Sequence, residues 1–347
     1  MKILLIGEFS GVHNNLKKGL IELGHDVKLA ADGDGYRKFG FDLRLAPYNG
    51  RFWGKIKNII YFLIHLKKFV GYDVIQFINP FSIPYYFYFL GITSVIFKFN
   101  KKIFYYACGT DPAFLSAKEK FEYFPFSEKN STEIPRYNKF TLHYYSWFIK
   151  NITCIIPSMY TYGLGYFGNP KLKEPIPLPG SGNYTNSIFE NKTGKIKILF
   201  GITRREFKGA VLIQKALKKL NEHYSEKIEI KIVEKLPFKE YLNILSQSDI
   251  LIDQCKSYDY GMNTIFALEK GIIVLSGAES VAIKYLNVVN CPVINIKPDS
   301  EDIFKKLQEL INSSEIKELK ENSHDYARAV HDRNLIAQKF LKEYANN

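Results

Sequence analysis

The sequence predicts an open α/β fold of two successive halves, each a parallel sheet wrapped by helices. Three observations carry that prediction. Short, continuous apolar runs alternate with stretches of helical periodicity from Lys2 onward. The same strand–loop–helix order starts again at Lys195. A Pro/Gly-dense linker, Lys173–Gly182 (KEPIPLPGSG), separates the two series.

The opening reads as a strand (Lys2–Ile6), a loop (Gly7 to Gly11), a helix (Val12–Leu23) and a second strand (Asp26–Ala30). Val12, Leu16, Leu20 and Leu23 share one helical face, and Gly24 suits a helix C-terminus. Gly7 and Gly11 lack the spacing of a dinucleotide fingerprint. Asp32-Gly33-Asp34 has the D-x-D form that can hold a divalent metal, but its position before Gly35 reads as a turn. Arg51–Val70 (RFWGKIKNIIYFLIHLKKFV) contains no acidic residue. It is either a basic aromatic helix lying on an anionic membrane surface or a helix packed on the sheet with solvated lysines. Tyr72–Asn79 is a strand. Phe81–Phe97 is long and uncharged, yet Pro80, Pro84 and its tyrosines favour a buried helix over a membrane span. Lys102–Ala107 is the next strand and ends in Cys108-Gly109-Thr110-Asp111. Phe114 to Phe148 shows little clean period and reads as mixed helical and irregular structure near a cleft, and Asn151–Ile156 is a strand.

The second half repeats the pattern, with strands at Lys195–Phe200, Lys227–Val233, Ile250–Ile252, Gly271–Leu275 and Pro292–Ile296. Helices fall at Val211–Leu220, Tyr241–Ser246 and Asn263–Lys270, followed by amphipathic stretches at Ser300–Ser313 and His331–Tyr344. The expected layout is a Rossmann-like domain over 1–175, a second over 176–330, and a last helix over 331–347 that can pack back on the first.

Composition narrows the partners. At 347 residues, 46% hydrophobic and 24% charged, the chain is globular and long enough for two cores. A net charge of +13 points to an anionic partner. No nucleic-acid module is recognisable, so no nucleic-acid partner is expected. Cys108, Cys154, Cys255 and Cys291 are far apart, with no CxxC pair and no His at zinc spacing, which argues against a disulfide framework or structural zinc. The apolar run before Glu8 is too short for a signal-peptide core, so the cytoplasm is expected.

Function is carried by loops after strands. ILFGITRREFKGA (198–210) is a strand, a loop and a helix start, and Arg204, Arg205 and Lys208 place cations where sheet ligands bind. It is followed in order by YLNILSQSDILID (241–253) and YDYGMNTIFALEKG (258–271). This succession resembles the nucleotide-binding half of GT-B glycosyltransferases, especially the large retaining group called family 4. IGEFSGVHNNLKKGLIELGHDV resembles that group's start.

The resemblance implies a transferase using a nucleotide-diphosphate sugar as co-substrate, with no metal cofactor. The acceptor would be a glycan or lipid-linked glycan. Arg204 or Arg205, with Lys208, match the pair that holds the donor diphosphate. Gly261, Met262 and Asn263 match the loop approaching phosphate and sugar. Glu234 and Lys235 lie where the nucleotide base rests. The departure is the family's spaced pair of glutamates, which contact sugar and ribose. Their positions read Tyr258 and Phe266, so either Asp259 or Glu269 takes part or the donor is held differently. On the acceptor side, Asp111 either orients the acceptor or acts as a base, or it is a helix N-cap. Glu8 and His13, in the first loop, either meet the acceptor or are ordinary local residues.

Overall fold

A computed structural model describes residues 1–50, 52–126, 132–184 and 194–347. Arg51 and residues 127–131, which fall within the expected basic helix and the irregular stretch, lie outside the described residues. The first half holds strands β1 (Lys2–Ile6), β2 (Asp26–Ala31), β3 (Leu43–Arg44), β4 (Val74–Phe77), β5 (Lys102–Ala107) and β6 (Cys154–Pro157). Its helices are α1 (Val12–Glu22), α2 (Trp53–His65), α3 (Tyr86–Phe89), α4 (Ile92–Lys98), α5 (Pro112–Ser116), α6 (Lys139–Asn151) and α7 (Tyr160–Gly163).

The second half holds β7 (Ile196–Ile202), β8 (Ile228–Glu234), β9 (Ile250–Ile252), β10 (Ile273–Ser276) and β11 (Ile294–Asn295). Helices α8 (Arg205–Lys208), α9 (Ala210–Tyr224), α10 (Phe238–Leu245), α11 (Met262–Leu268), α12 (Ser280–Tyr285), α13 (Ser300–Ile311), α14 (Ile316–His331) and α15 (Arg333–Asn346) surround them.

Both sheets are parallel, in the orders β3-β2-β1-β4-β5-β6 and β11-β10-β9-β7-β8. Central strands are covered on both faces and therefore read as unbroken apolar runs: Ile3, Leu4, Leu5 and Ile6 are fully buried, as are Leu199 and Phe200. In each sheet the order in which strands are added switches sides at one strand, β1 in the first and β7 in the second. At such a switch point the neighbouring connections leave on opposite faces and open a crevice at the strands' carboxyl ends. The loop after β1 and the RREFKG loop after β7 both open there.

The last helix returns to the first sheet. Phe340 packs edge-on to Tyr106 and Tyr344 against Phe104, each with centroids 4.9 Å apart. The Tyr344 hydroxyl donates to Gln76 Oε1 at 2.7 Å. A Cβ at Gly19 of α1 would meet the Arg333 carbonyl at 2.4 Å, so only glycine allows the helix this close.

Several expected elements differ. Phe81–Phe97 is not one helix: a 3-10 turn at Pro80–Ser82 and helices α3 and α4 replace it, interrupted at Pro84 and at Gly91, whose φ is 73°. The irregular-looking stretch contains α6, started by Asn138, whose side chain accepts the Thr141 N–H at 2.9 Å. Helix α14 has no counterpart among the elements expected from the sequence. Its sequence is mostly polar, and Tyr326, Ala327 and His331 are its buried contacts late in the helix. No described helix is long and apolar enough to cross a membrane.

Candidate functional site

The carboxyl ends of both sheets converge on a cavity of about 500 Å³, within the usual size range of small-molecule sites. The first half contributes Phe9, Ser10, Asp34, Gly109 and Thr110, and the second Arg204, Lys208, Lys235, Gly261, Met262 and Asn263. Gly11 has φ 89°, and a Cβ there would lie 3.1 Å from Phe39 and 3.5 Å from Phe266. The glycine loop thus meets the wall of the opposite half. That wall is aromatic, with Phe238 and Phe266 at a centroid distance of 5.0 Å, and Phe39 of the first half packs against Phe238 at 4.8 Å. Phe266 stands in the lining where the resemblance implies a ribose-binding glutamate, and its ring offers stacking surface in place of a hydrogen-bond acceptor.

The RREFKG loop separates its two arginines. Arg204 lines the cavity, with its guanidinium carbon 3.6 Å from the Phe207 ring centroid. Arg205 instead pairs with Glu234 at 2.8 Å, and neither belongs to the lining. Lys208 is buried in an ion pair, donating to Asp253 Oδ1 at 2.7 Å and to the Gly201 carbonyl at 2.7 Å. Asp253 also accepts from Asn263 Nδ2 at 2.9 Å and Thr264 Oγ1 at 3.1 Å. Burial opposes ionisation of Asp253, but the Lys208 charge and these hydrogen bonds hold its carboxyl below the usual range. Lys208, Asp253 and Asn263 therefore form one polar unit in the floor of the cavity.

Three residues expected near sugar or ribose sit outside the lining. The Asp259 carboxylate accepts the backbone N–H groups of Tyr160 (3.1 Å) and Thr161 (2.8 Å), and the Thr161 hydroxyl, at the start of α7. It clasps the two halves together, and burial pushes its carboxyl up to about 6. Tyr258 stacks on Tyr160, and its hydroxyl accepts the Glu122 N–H at 2.9 Å. Glu269 holds the linker through Ser181 Oγ (2.6 Å) and Gly182 N (2.8 Å). Burial raises its carboxyl too.

The acceptor-side candidates are also placed in the framework. His13 is fully buried, with Nδ1 2.8 Å from the Gly7 carbonyl and Nε2 3.2 Å from Gln76. Burial lowers its imidazole to about 3, so the ring stays neutral. The Asp111 carboxylate caps α5 through the Phe114 N–H at 2.8 Å and accepts the hydroxyls of Tyr105 and Tyr166; burial raises its carboxyl. Glu8 accepts from Gly11 N, Asn14 N and Asn14 Nδ2 at 2.7–2.8 Å. Burial, the largest influence, pushes it up to about 7. None of the three lines the cavity. The N-cap reading of Asp111, held open in the sequence, accounts for one of its oxygens.

Other lining residues had weak sequence signals or none. Asp34 lies in the Asp32-Gly33-Asp34 turn, where it accepts the Ser10 N–H at 2.8 Å and pairs with Arg37 at 2.9 Å. Glu133, Tyr162 and Phe238 come from stretches that carry no motif. Cys108 is in the lining, but burial pushes its thiol up to about 12. Among the described residues, no group of three or more His, Cys, Asp or Glu side chains is arranged to hold a metal ion.

No family model matches the chain, and no curated protein matches it in sequence. Solved structures do. Sucrose-phosphate synthase from Thermosynechococcus elongatus is similar at a TM-score of 0.65 and 14% identity, over 100% of this chain and 99% of that one. The fold is GT-B. HepE of Anabaena, solved with UDP-glucose, is similar at 0.64 and 11% identity over 100% of both chains. The UDP-GlcNAc 2-epimerase of Neisseria meningitidis, bound to UDP-GlcNAc, reaches 0.54 at 12% identity over 100% of both. At these identities the GT-B likeness is one of fold, and it spans transferases and epimerases alike.

Proposed function

We propose that this chain is a glycosyltransferase that moves a sugar from a nucleoside-diphosphate donor to a glycan or lipid-linked glycan, with retention and without a metal. The observation that carries this reading is the convergence of Arg204, the Lys208–Asp253 unit and Gly261–Asn263 on the cavity that the first half's glycine loop also borders. Cleavage of the donor's sugar–phosphate bond leaves a diphosphate with growing negative charge, and fixed cations in a partly closed site favour that state. Neighbours solved with UDP-glucose and UDP-GlcNAc support the donor class. The test is release of nucleoside diphosphate from a panel of sugar nucleotides, with and without EDTA. Turnover that survives EDTA is expected; no donor binding and no release across the panel would defeat the reading.

A second reading is a non-catalytic subunit that binds a sugar nucleotide or supports a partner enzyme. One observation favours it: Glu8, His13 and Asp111 are committed to framework hydrogen bonds outside the lining. Donor binding without turnover, restored by a copurifying partner, would select it.

The lipid-linked acceptor and a site of action at the cytoplasmic membrane face draw support from α2. Its buried residues are Gly54, Asn58 and Phe62, while the outward stripe exposes Trp53 (71%), Ile60 (52%) and Ile64 (72%). Lys55, Lys57, Lys67 and Lys68 flank it, and Asp73 is the single acid between Asp42 and Asp111. Such a stripe suits an anionic lipid surface. Flotation with phosphatidylglycerol vesicles is expected for the wild type and lost in a Trp53→Glu/Ile64→Glu variant. Equal flotation of both would remove α2 from membrane contact.

A further inference from the structure

Glu133 belongs to the first half, yet its carboxylate sits on the RREFKG loop of the second. One oxygen accepts the backbone N–H of Glu206 at 3.3 Å and the other that of Phe207 at 3.2 Å. Glu133 lines the same cavity as Arg204 and Lys208. An ionised carboxylate is an acceptor-only, two-oxygen anion, and one edge of a phosphate presents the same chemistry to a pair of adjacent N–H groups.

We propose that Glu133 is an internal competitor for the donor's phosphate, an anionic side chain seated on the loop amides that a nucleoside diphosphate must displace to bind. The inference rests on reading this cavity as the donor site. Two anions cannot share the same pair of donors, and like charges brought together there repel. The donor therefore binds only molecules in which Glu133 has withdrawn, and the observed affinity is the intrinsic one reduced by the withdrawn fraction. Ligands without phosphate make no claim on these amides and are indifferent to Glu133.

The displaced carboxylate is tethered close to the first half's side of the cavity. Tyr137, four residues on, stacks on Phe81 with centroids 5.0 Å apart and donates to the Thr110 carbonyl at 3.1 Å. Pro135 and Thr110 are themselves lining residues. Withdrawal of Glu133 thus acts on a stretch that borders the same space, so Glu133 sets how tightly the donor's phosphate is held.

The test is calorimetric titration of the full chain with UDP, GDP and inorganic pyrophosphate, with uridine and guanosine as phosphate-free controls. Glu133→Gln and Glu133→Ala are expected to bind the phosphate-bearing probes about tenfold more tightly than wild type, the size of one charge-assisted hydrogen-bond contribution. Nucleoside binding is expected to be unchanged. Arg204→Ala serves as the control for the site itself. If Arg204→Ala weakens binding but both Glu133 variants bind like wild type or worse, the competitor is overturned and the donor site stands. If Arg204→Ala changes nothing, the donor-site reading fails. Equal tightening for nucleosides and phosphates would make Glu133 a steric plug and overturn the proposal.

Discussion

Lys208→Ala is expected to destabilise the folded protein by about 3–5 kcal/mol, the usual cost of removing one partner from a buried ion pair. The side chains of Lys208 and Asp253 are only 8% and 2% exposed, at 2.7 Å from each other. Alanine leaves the Asp253 carboxylate charged in the cavity floor with only Asn263 and Thr264 to hold it. Denaturant unfolding measures the loss, and Lys208→Ala with Asp253→Asn should recover much of it. A midpoint unchanged by Lys208→Ala would mean the pair is solvated in solution. The pair also carries a pH signature. Because Asp253 is held below the ordinary carboxyl value of about 4, its stabilisation is fully present above that value and is lost only as pH falls through the lowered one. Loss of donor binding in Lys208→Ala must therefore be read at a temperature where the variant is still folded.

Arg204→Ala is the complementary experiment. It is expected to weaken UDP binding by about 2 kcal/mol, roughly 30-fold, as one hydrogen-bonded charge contact is lost. Stability should change little, because Arg204 is exposed in the cavity wall, where its guanidinium lies over the face of Phe207. Arg205→Ala should leave binding within about threefold, since Arg205 is spent on exposed Glu234. Calorimetry on the two variants decides between them. A larger loss in Arg205→Ala would move the phosphate contact toward β8.

The contrast between Arg204 and Arg205 shows where sequence reading stops. Both arginines follow the same strand, and their local patterns are equivalent. Which one turns into the cavity depends on Glu234, an acid brought alongside by the pairing of β8 with β7. The acids behave likewise. Asp259 and Glu269 lie in the stretch expected to face the donor, and both are drawn instead to backbone N–H groups from distant parts of the chain, at Tyr160–Thr161 and at Gly182. Buried N–H groups must find acceptors, and the nearest carboxylate is taken whatever its place in a motif.

The α/β class, the alternation of strands and helices, and the loops that border the cavity are legible in the chain's amino acids. Those features come from local patterns: apolar runs for strands covered on both faces, helical periodicity, and Gly and Pro at the ends. Long-range packing sets which loop residues share the cavity. It put Arg204, Lys208 and Phe266 in the lining, left Glu8, His13 and Asp111 in the framework, and brought Glu133 across from the other half. The physical reason is that a loop side chain's direction is set by charge pairs and hydrogen bonds between residues far apart in sequence, which no local spacing records.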